Sequence, residues 1–393
     1  VRAQFPALAA GAAHFDGPGG SQTPQVVAAA IHDALVSPIA NRGTVTRAER
    51  TAEAIVQAAR AAMADLLGAD PRGVVFGRSM TQLTFDIART LASGWTAGDE
   101  VLVSRLDHDA NVRPWVIWAH KAGATLRWID FDPDSTELRV GHVADQLSDR
   151  TRLVAVTGAS NLIGTRPDLA AIADRVHRAG ALLYVDGVHL AAHAGIDVAA
   201  LGADFFACSP YKFFGPHFGV LAASPALLET LHPDKLLPSS DAVPDRFELG
   251  TLPYELLAGA TAAVDFIAGL GGDGAAASRR ERILASMAAV DEHEEGLRQR
   301  IESRLADLGG VTLHSRARHR TPTLLVTFAD HSVADAYRFL AELDINAPAG
   351  TFYAYEAARR LGLPDGGLRI GLAPYTDDSD VDRLLDGLAK FVG

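Results

Sequence analysis

From Val74 onward the chain alternates short apolar runs with amphipathic stretches of helical length, and this alternation restricts the fold more than any other feature. Val74–Phe76, Val101–Val103, Leu153–Thr157, Leu182–Val185 and Phe205–Ala207 read as buried strands. A strand with one face in water would instead alternate polar and apolar residues. Thr81–Ala92, Val112–Ala122 and Asp168–Ala179 read as the helices between them. Parallel strands need such crossovers, so the pattern predicts an α/β fold whose mainly parallel sheet is sandwiched by helices. The later part differs: Arg279–Leu308 reads as a long, charged, heptad-like helix, Thr323–Phe328 and Leu368–Ala373 as strands, and Ser332–Leu343 and Asp378–Phe391 as helices. That mixture predicts a smaller α+β C-terminal domain. With 393 residues, two or three domains are expected. The Gly-rich stretch Gly269–Gly274 marks the boundary region, giving a large domain over 15–262 and a small one over 263–393, with residues 1–14 packing on the latter.

Composition excludes several classes. A net charge of −12 argues against nucleic acid or an anionic membrane surface as the main partner, while leaving room for a local basic pocket. The single cysteine, Cys208, excludes a disulfide framework and a CxxC zinc site and fits a reducing cytoplasm. No run of 18 apolar residues is present, so no membrane-spanning helix is expected. Val1–Ala13 is short, Ala-rich and followed by no cleavage site, and is not read as a signal peptide. Of the 36 basic residues only four are lysines, so a lysine in an unusual place suggests a need for a primary amine.

Three motif matches are set aside, and no metal site is expected. Gly269, Gly271 and Gly274 satisfy GxGxxG but follow a helix rather than a strand. Asp378, Asp380 and Asp382 resemble a calcium loop, yet Arg383 and Ala389 replace its glycine and glutamate, so the aspartates read as caps of the last helix. His189 and His193 lack a surrounding HExxH.

In an open α/β sheet, ligands bind beyond the C-terminal strand ends. There this sequence places Gly77-Arg78-Ser79-Met80-Thr81, a turn into a helix suited to phosphate. The other ends carry His108 within Asp107–Asn111, Asn161 after Ser160, Asp186-Gly187-Val188-His189, and Ser209-Pro210-Tyr211-Lys212. An anion cradle, an aromatic ring, a carboxylate and an amine form the set that pyridoxal 5′-phosphate chemistry uses, with the lysine as Schiff-base partner and the carboxylate keeping the pyridine nitrogen protonated.

Along nearly its whole length the chain resembles the class V aminotransferases, the fold-type-I group that includes cysteine desulfurases. Val185-Asp186-Gly187 followed by Ser209-Pro210-Tyr211-Lys212-Phe213-Phe214-Gly215-Pro216 carries the resemblance most strongly. It implies pyridoxal 5′-phosphate as cofactor, Lys212 as Schiff-base lysine, Asp186 as pyridinium partner and His108 stacked on the ring, these three being the catalytic residues. Asn161 would bond the substrate or the cofactor's 3′-oxygen. His189 stands where the family has a glutamine bonding that oxygen, and cofactor contact and packing both remain open for it. Met80, Thr81, Ser209 and Tyr211 would meet the phosphate, histidine being common at the position of Tyr211. Arg246-Phe247-Glu248-Leu249-Gly250-Thr251 resembles the segment by which a neighbouring subunit offers a threonine to the phosphate, implying a homodimer with shared sites. Leu368-Arg369-Ile370-Gly371 resembles the strand whose arginine binds the substrate α-carboxylate, and Asp16-Gly17-Pro18-Gly19-Gly20 the turn at the substrate pocket. Asn41-Arg42-Gly43 matches another family loop.

One departure weighs on the reaction. Desulfurases of this family carry a nucleophilic cysteine on a mobile loop shortly before that arginine. Pro348–Tyr355 has no thiol here, Tyr353 falls nearest the position, and Cys208 lies on a predicted buried strand. The resemblance therefore points to an aminotransferase-like enzyme that acts on a small amino acid through a Lys212 Schiff base and a quinonoid. The alternative is a lyase or epimerase on the same scaffold. A non-enzymatic cofactor-sensing module is the third reading, disfavoured by the acidic charge and the lack of a DNA-binding extension.

Overall fold

A computed structural model describes residues 1–272 and 277–393; Gly274, the last glycine of the GxGxxG match, lies outside the described residues. Seven strands form the main sheet: β1 (Val74–Gly77), β2 (Glu100–Ser104), β3 (Thr125–Ile129), β4 (Thr151–Thr157), β5 (Leu182–Asp186), β6 (Phe205–Cys208) and β7 (Gly219–Ala223). Their order is β1-β7-β6-β5-β4-β2-β3. Every neighbouring pair is parallel except the two that β7 makes, with β1 and β6, which are antiparallel. The five strands expected from the apolar runs are present; β3 and β7 are additional. β3 lies at the sheet edge, where half-exposed Leu126 and Trp128 and the polar Arg127 break the apolar signal. β7, Gly-Val-Leu-Ala-Ala, is dominated by residues of low strand propensity.

Successive strand residues point to opposite faces, and both faces are covered. Phe76, Leu102, Val154, Val156, Val185 and Phe206 pack on one side with residues of the Arg47–Leu67 and Tyr254–Gly269 helices. Val75, Val101, Val103, Tyr184 and Phe205 pack on the other with the Met80–Ala92 and Arg113–Ala122 helices, where Trp115 is fully buried. Helix starts follow local chemistry. Ser79 accepts from Gln82 N–H, Ser278 forms a capping box with Glu281, and Asp377 forms one with Asp380. The cap of the last helix is thus Asp377, while Asp378 and Asp382 pair with Arg300 on the Arg279–Asp307 helix.

The later residues build a four-stranded antiparallel sheet, β8 (Val311–Leu313), β9 (Thr323–Phe328), β10 (Ala349–Gly350) and β11 (Gly367–Gly371), in the order β10-β11-β9-β8. Its apolar residues Leu324, Val326, Leu368 and Ile370 pack with Ile301 and Leu305 of the long helix and Leu384 and Leu388 of the last one. The N-terminal segment joins this cluster through Ala13 and Phe15, and Ala13–His14 pairs in parallel with Ile345–Asn346. Asp16 then bridges Gly371, which brings the Gly-rich turn against β11. A β-carbon at Gly371 would lie 2.1 Å from Pro18 Cδ, so only glycine lets this turn sit beside the strand that carries Arg369. Among the described residues no helix is long and apolar enough to cross a membrane.

Candidate active site

A cavity of about 610 Å³ opens beyond the C-terminal ends of β4, β5 and β6, walled by Thr157, Asp186 and Ser209 at those ends. Met80 and Thr81 from the turn after β1, and His108 from the loop after β2, close one side. Gly19, Asn161, Phe352 and Arg369 close the other. His189, Tyr211 and Lys212 also reach the cavity, so it collects every candidate named from the sequence except Thr251. Thr251 is exposed, next to Gly250 in the left-handed region at φ +83°. Its segment is anchored by Glu248, whose carboxylate is held by Arg60 at 2.8–2.9 Å and by Phe76 N–H at 2.8 Å. Arg42 reaches the same segment through Asp245 at 2.9 Å.

The phosphate-type cradle follows from the sequence locally. Because Ser79 takes the cap, Met80 and Thr81 begin the helix on the cavity wall. The turn approaches the sheet closely: a β-carbon on Gly219 of β7 would fall 2.4 Å from Met80 N. Unbonded N–H groups at a helix start and the helix dipole both favour an anion there.

Lys212 leaves β6 through a single 3₁₀ turn, Pro210–Lys212. Its Nζ donates to Pro18 O at 2.5 Å and Gly19 O at 3.0 Å, and lies 4.7 Å from the Tyr211 ring centroid. Ser21 ties the glycine turn to the same segment by donating to Tyr211 O and accepting from Phe214 N–H. Tyr211 itself stacks on His217, with ring centroids 4.6 Å apart. Burial lowers the Lys212 amine to about 7, the Arg369 charge adding to the effect and Asp186 opposing it.

Asp186 ends β5 and accepts from Val188 N–H at 2.9 Å. Burial raises its carboxyl to about 6, against that hydrogen bond and the pull of Lys212. Asp107, to which the sequence assigns no role, lies beneath the site. It accepts from Ser104 Oγ, from Asn111 Nδ2 at 2.7 Å and from Thr157 N–H at 3.0 Å, joining the loop after β2 to the end of β4. Ser104 and Asn111 are sequence neighbours of Asp107, but the Thr157 N–H reaches it only through the fold, so its place as the link between the two loops is not visible in the sequence. His108 accepts from Ala110 N–H at Nδ1, and burial first, then Lys212, lowers it to about 4, leaving a neutral ring.

His189 is buried, and its Nε2 meets the hydroxyls of Thr321 at 3.0 Å and Thr323 at 2.9 Å. It therefore both lines the cavity and packs against β9. His193 turns away to Glu294 at 2.8 Å. Arg369 is 2% exposed, donates from Nη1 to Asn161 O at 2.9 Å, and burial lowers it to about 9. Asn161 Oδ1 and Arg369 Nε are buried without a hydrogen-bond partner. Cys208 is buried, and burial pushes its thiol well up, which makes it inert as a nucleophile.

The donor set fits pyridoxal 5′-phosphate. A readily neutral amine suits an aldehyde, and a carboxyl poised near 6 would be re-ionised by a protonated ring nitrogen. A helix start faces the place for an anion. An ordinary lysine is a free nucleophile only near pH 10.5, whereas burial leaves Lys212 neutral above about 7. Capture of added cofactor by the apoprotein should therefore accelerate as pH rises through about 7 and level off above 8. Borohydride trapping followed by mass spectrometry of the Lys212 peptide reads this directly; a rise continuing toward pH 10 would contradict the lowered amine.

The fold and this donor set are those of a cofactor-dependent enzyme. The family described as "Aminotransferase class-V" matches residues 13–384. An uncharacterized protein of Mycobacterium tuberculosis is 34% identical over 99% of this chain and 98% of its own length. A cysteine desulfurase of Dickeya dadantii is 30% identical over 99% of this chain and 95% of its own. The crystal structure of a cysteine desulfurase from Escherichia coli superimposes with a TM-score of 0.87 at 28% identity, covering 99% of this chain and 96% of that one. The chain belongs to the class V aminotransferase family, pyridoxal 5′-phosphate-dependent enzymes of fold type I.

Proposed function

We propose that the protein transfers the amino group of a small amino acid, with Lys212, Asp186 and Arg369 as its central residues. The observation that carries this reading is their convergence in one cavity whose remaining loop, Pro348–Tyr355, has no thiol. A sulfur-transfer step through that loop lacks its nucleophile, and Cys208 is buried in β6.

When bound, pyridoxal 5′-phosphate supplies a covalent carrier for the amino group and an electron sink for bond cleavage at the substrate Cα. Lys212 Nζ would hold it covalently and would take the proton from the substrate Cα. Asp186 would keep a proton on the ring nitrogen, and His108 would cover the ring. Met80 N–H, Thr81, Ser209 and Tyr211 receive the phosphate. His189 and Asn161 address the 3′-oxygen side, while Gly19 leaves room for the substrate beside Arg369, which binds its carboxylate.

We infer a homodimer in which Thr251 completes the partner's phosphate site. Exposed Thr251, and Leu236, Leu237 and Leu249 exposed nearby in sequence, support this. We further propose a large unit over 15–262 and a small one over 263–393, with residues 1–14 on the latter, and a cytoplasmic location, which suits a single thiol.

The test is a single-turnover panel of the twenty amino acids with stoichiometric holoenzyme, recording the visible spectrum and the products. Bleaching of the long-wavelength band with one equivalent of keto acid and no free ammonia is the expected result. Catalytic release of ammonia or sulfide would establish a lyase instead, and racemised amino acid an epimerase.

A further inference from the structure

The guanidinium of Arg369 has no carboxylate within ion-pair distance among the described residues, although it is buried. A buried arginine is ordinarily fixed by an acid. Here an acid would neutralise the charge that a substrate carboxylate needs, so the side chain must be held in another way.

The structure shows how. Arg369 Cζ sits 3.7 Å from the centroid of the Phe352 ring, and Nη1 donates to Asn161 O at 2.9 Å. Asn161 Nδ2 in turn donates to Phe352 O at 2.8 Å. Phe352 thus touches Arg369 with its ring and Asn161 with its carbonyl, closing a circuit of three residues. An aromatic face attracts a guanidinium through its quadrupole and fixes its plane while leaving the full positive charge in place.

The backbone is shaped for this contact. Phe352 and Tyr353 occupy the left-handed region in succession, at φ 52° and 58°, which is costly for residues with side chains. The conformation is pinned by Asp109 N–H donating to Tyr353 O at 2.8 Å, and the Tyr353 ring lies 5.4 Å from that of His108. Strain of this kind persists only where surrounding contacts over-determine it.

We propose that Phe352 is the positioning residue of the carboxylate site, orienting Arg369 with its ring and Asn161 with its carbonyl. The inference rests on the reading that Arg369 binds the substrate α-carboxylate. Bidentate recognition needs a guanidinium plane fixed before the substrate arrives, and Phe352 removes that freedom in advance.

The test compares holoenzyme of the parent, Phe352→Leu and Phe352→Tyr. Leucine keeps an apolar side chain and loses the aromatic face; tyrosine keeps it. The first readout is the rate of phenylglyoxal modification at Arg369, followed by peptide mass spectrometry. It should rise about tenfold in Phe352→Leu and stay at the parental value in Phe352→Tyr. The second uses the amino acid giving the strongest response in the panel. KM should rise about ten- to thirtyfold in Phe352→Leu with kcat changed less than about threefold and the cofactor spectrum unaltered, the pattern of lost uniform binding. Parental reactivity of Arg369 in Phe352→Leu, a fall in kcat as large as the rise in KM, or failure of tyrosine to rescue would overturn the proposal. Arg369→Ala separates the two readings. If it leaves KM unchanged, the carboxylate assignment fails while the phenylglyoxal rates still decide whether Phe352 fixes Arg369. If it raises KM and Phe352→Leu does not, the role of Phe352 alone is refuted.

Discussion

Alanine in place of Lys212 is expected to leave a folded protein that still takes up pyridoxal 5′-phosphate but turns over amino acids at least about 10⁴-fold more slowly. In the proposed mechanism two contributions would vanish together, the covalent hold on the cofactor and the base that moves the Cα proton. The amine contacts two carbonyls of the Pro18–Gly19 turn, so its loss opens space at the cavity wall rather than in a hydrophobic cluster, and little stability should be lost. Borohydride treatment of the variant should yield no cofactor adduct, where the parent yields one on the Lys212 peptide. Recovery of turnover by added methylamine would support a base role; turnover near the parental rate without it would remove Lys212 from the mechanism.

Asp186→Asn is expected to separate activity from stability. An amide cannot keep a proton on a pyridine nitrogen, and kcat should fall by about 10³-fold with the cofactor retained. The effect on the apoprotein should have the opposite sign. Burial raises the Asp186 carboxyl from 3.8 to about 6, so the folded state binds its proton more tightly than the unfolded chain. Stability therefore declines as pH rises through this window, and the full penalty is present above about pH 6. Asparagine carries no such penalty and can still accept from Val188 N–H. The apo variant should gain up to about 3 kcal/mol at pH 7 and nothing below about pH 4, read as a pH-dependent difference in urea midpoints. A variant less stable than the parent at pH 7 would show that the ionised carboxylate is better solvated than its burial implies.

How much of this was legible beforehand depends on the range of the interactions involved. Strands with uninterrupted apolar runs, such as Leu182–Val185, declare themselves because burial on both faces is a local compositional demand. Lys212 stands out through the scarcity of lysine, and the strand-end rule brings His108, Asn161 and Asp186 toward one cavity. β7 was not legible, since Gly-Val-Leu-Ala-Ala becomes a strand only through neighbours on both sides. The two threonines at His189 and the ring on Arg369 were equally hidden, for each contact joins residues far apart in the chain. Tyr353, nearest the vacant thiol position, drew attention in the sequence, yet the adjacent Phe352 is the residue that reaches the arginine.

The antiparallel insertion of β7 between β1 and β6 bears on how the protein acquires its site during synthesis. β1 has no partner in the sheet other than β7, and β7 is the strand that directly follows the Lys212 turn. The turn after β1, which packs closely on Gly219 of β7, emerges early from the ribosome but lacks that partner until the chain beyond Lys212 has been made. Closing so long a loop is entropically slow, and it happens in the same event that seats the lysine segment. The turn after β1 and the Lys212 segment therefore mature together, and a nascent or truncated chain ending before β7 would expose an unpaired β1 edge open to aggregation.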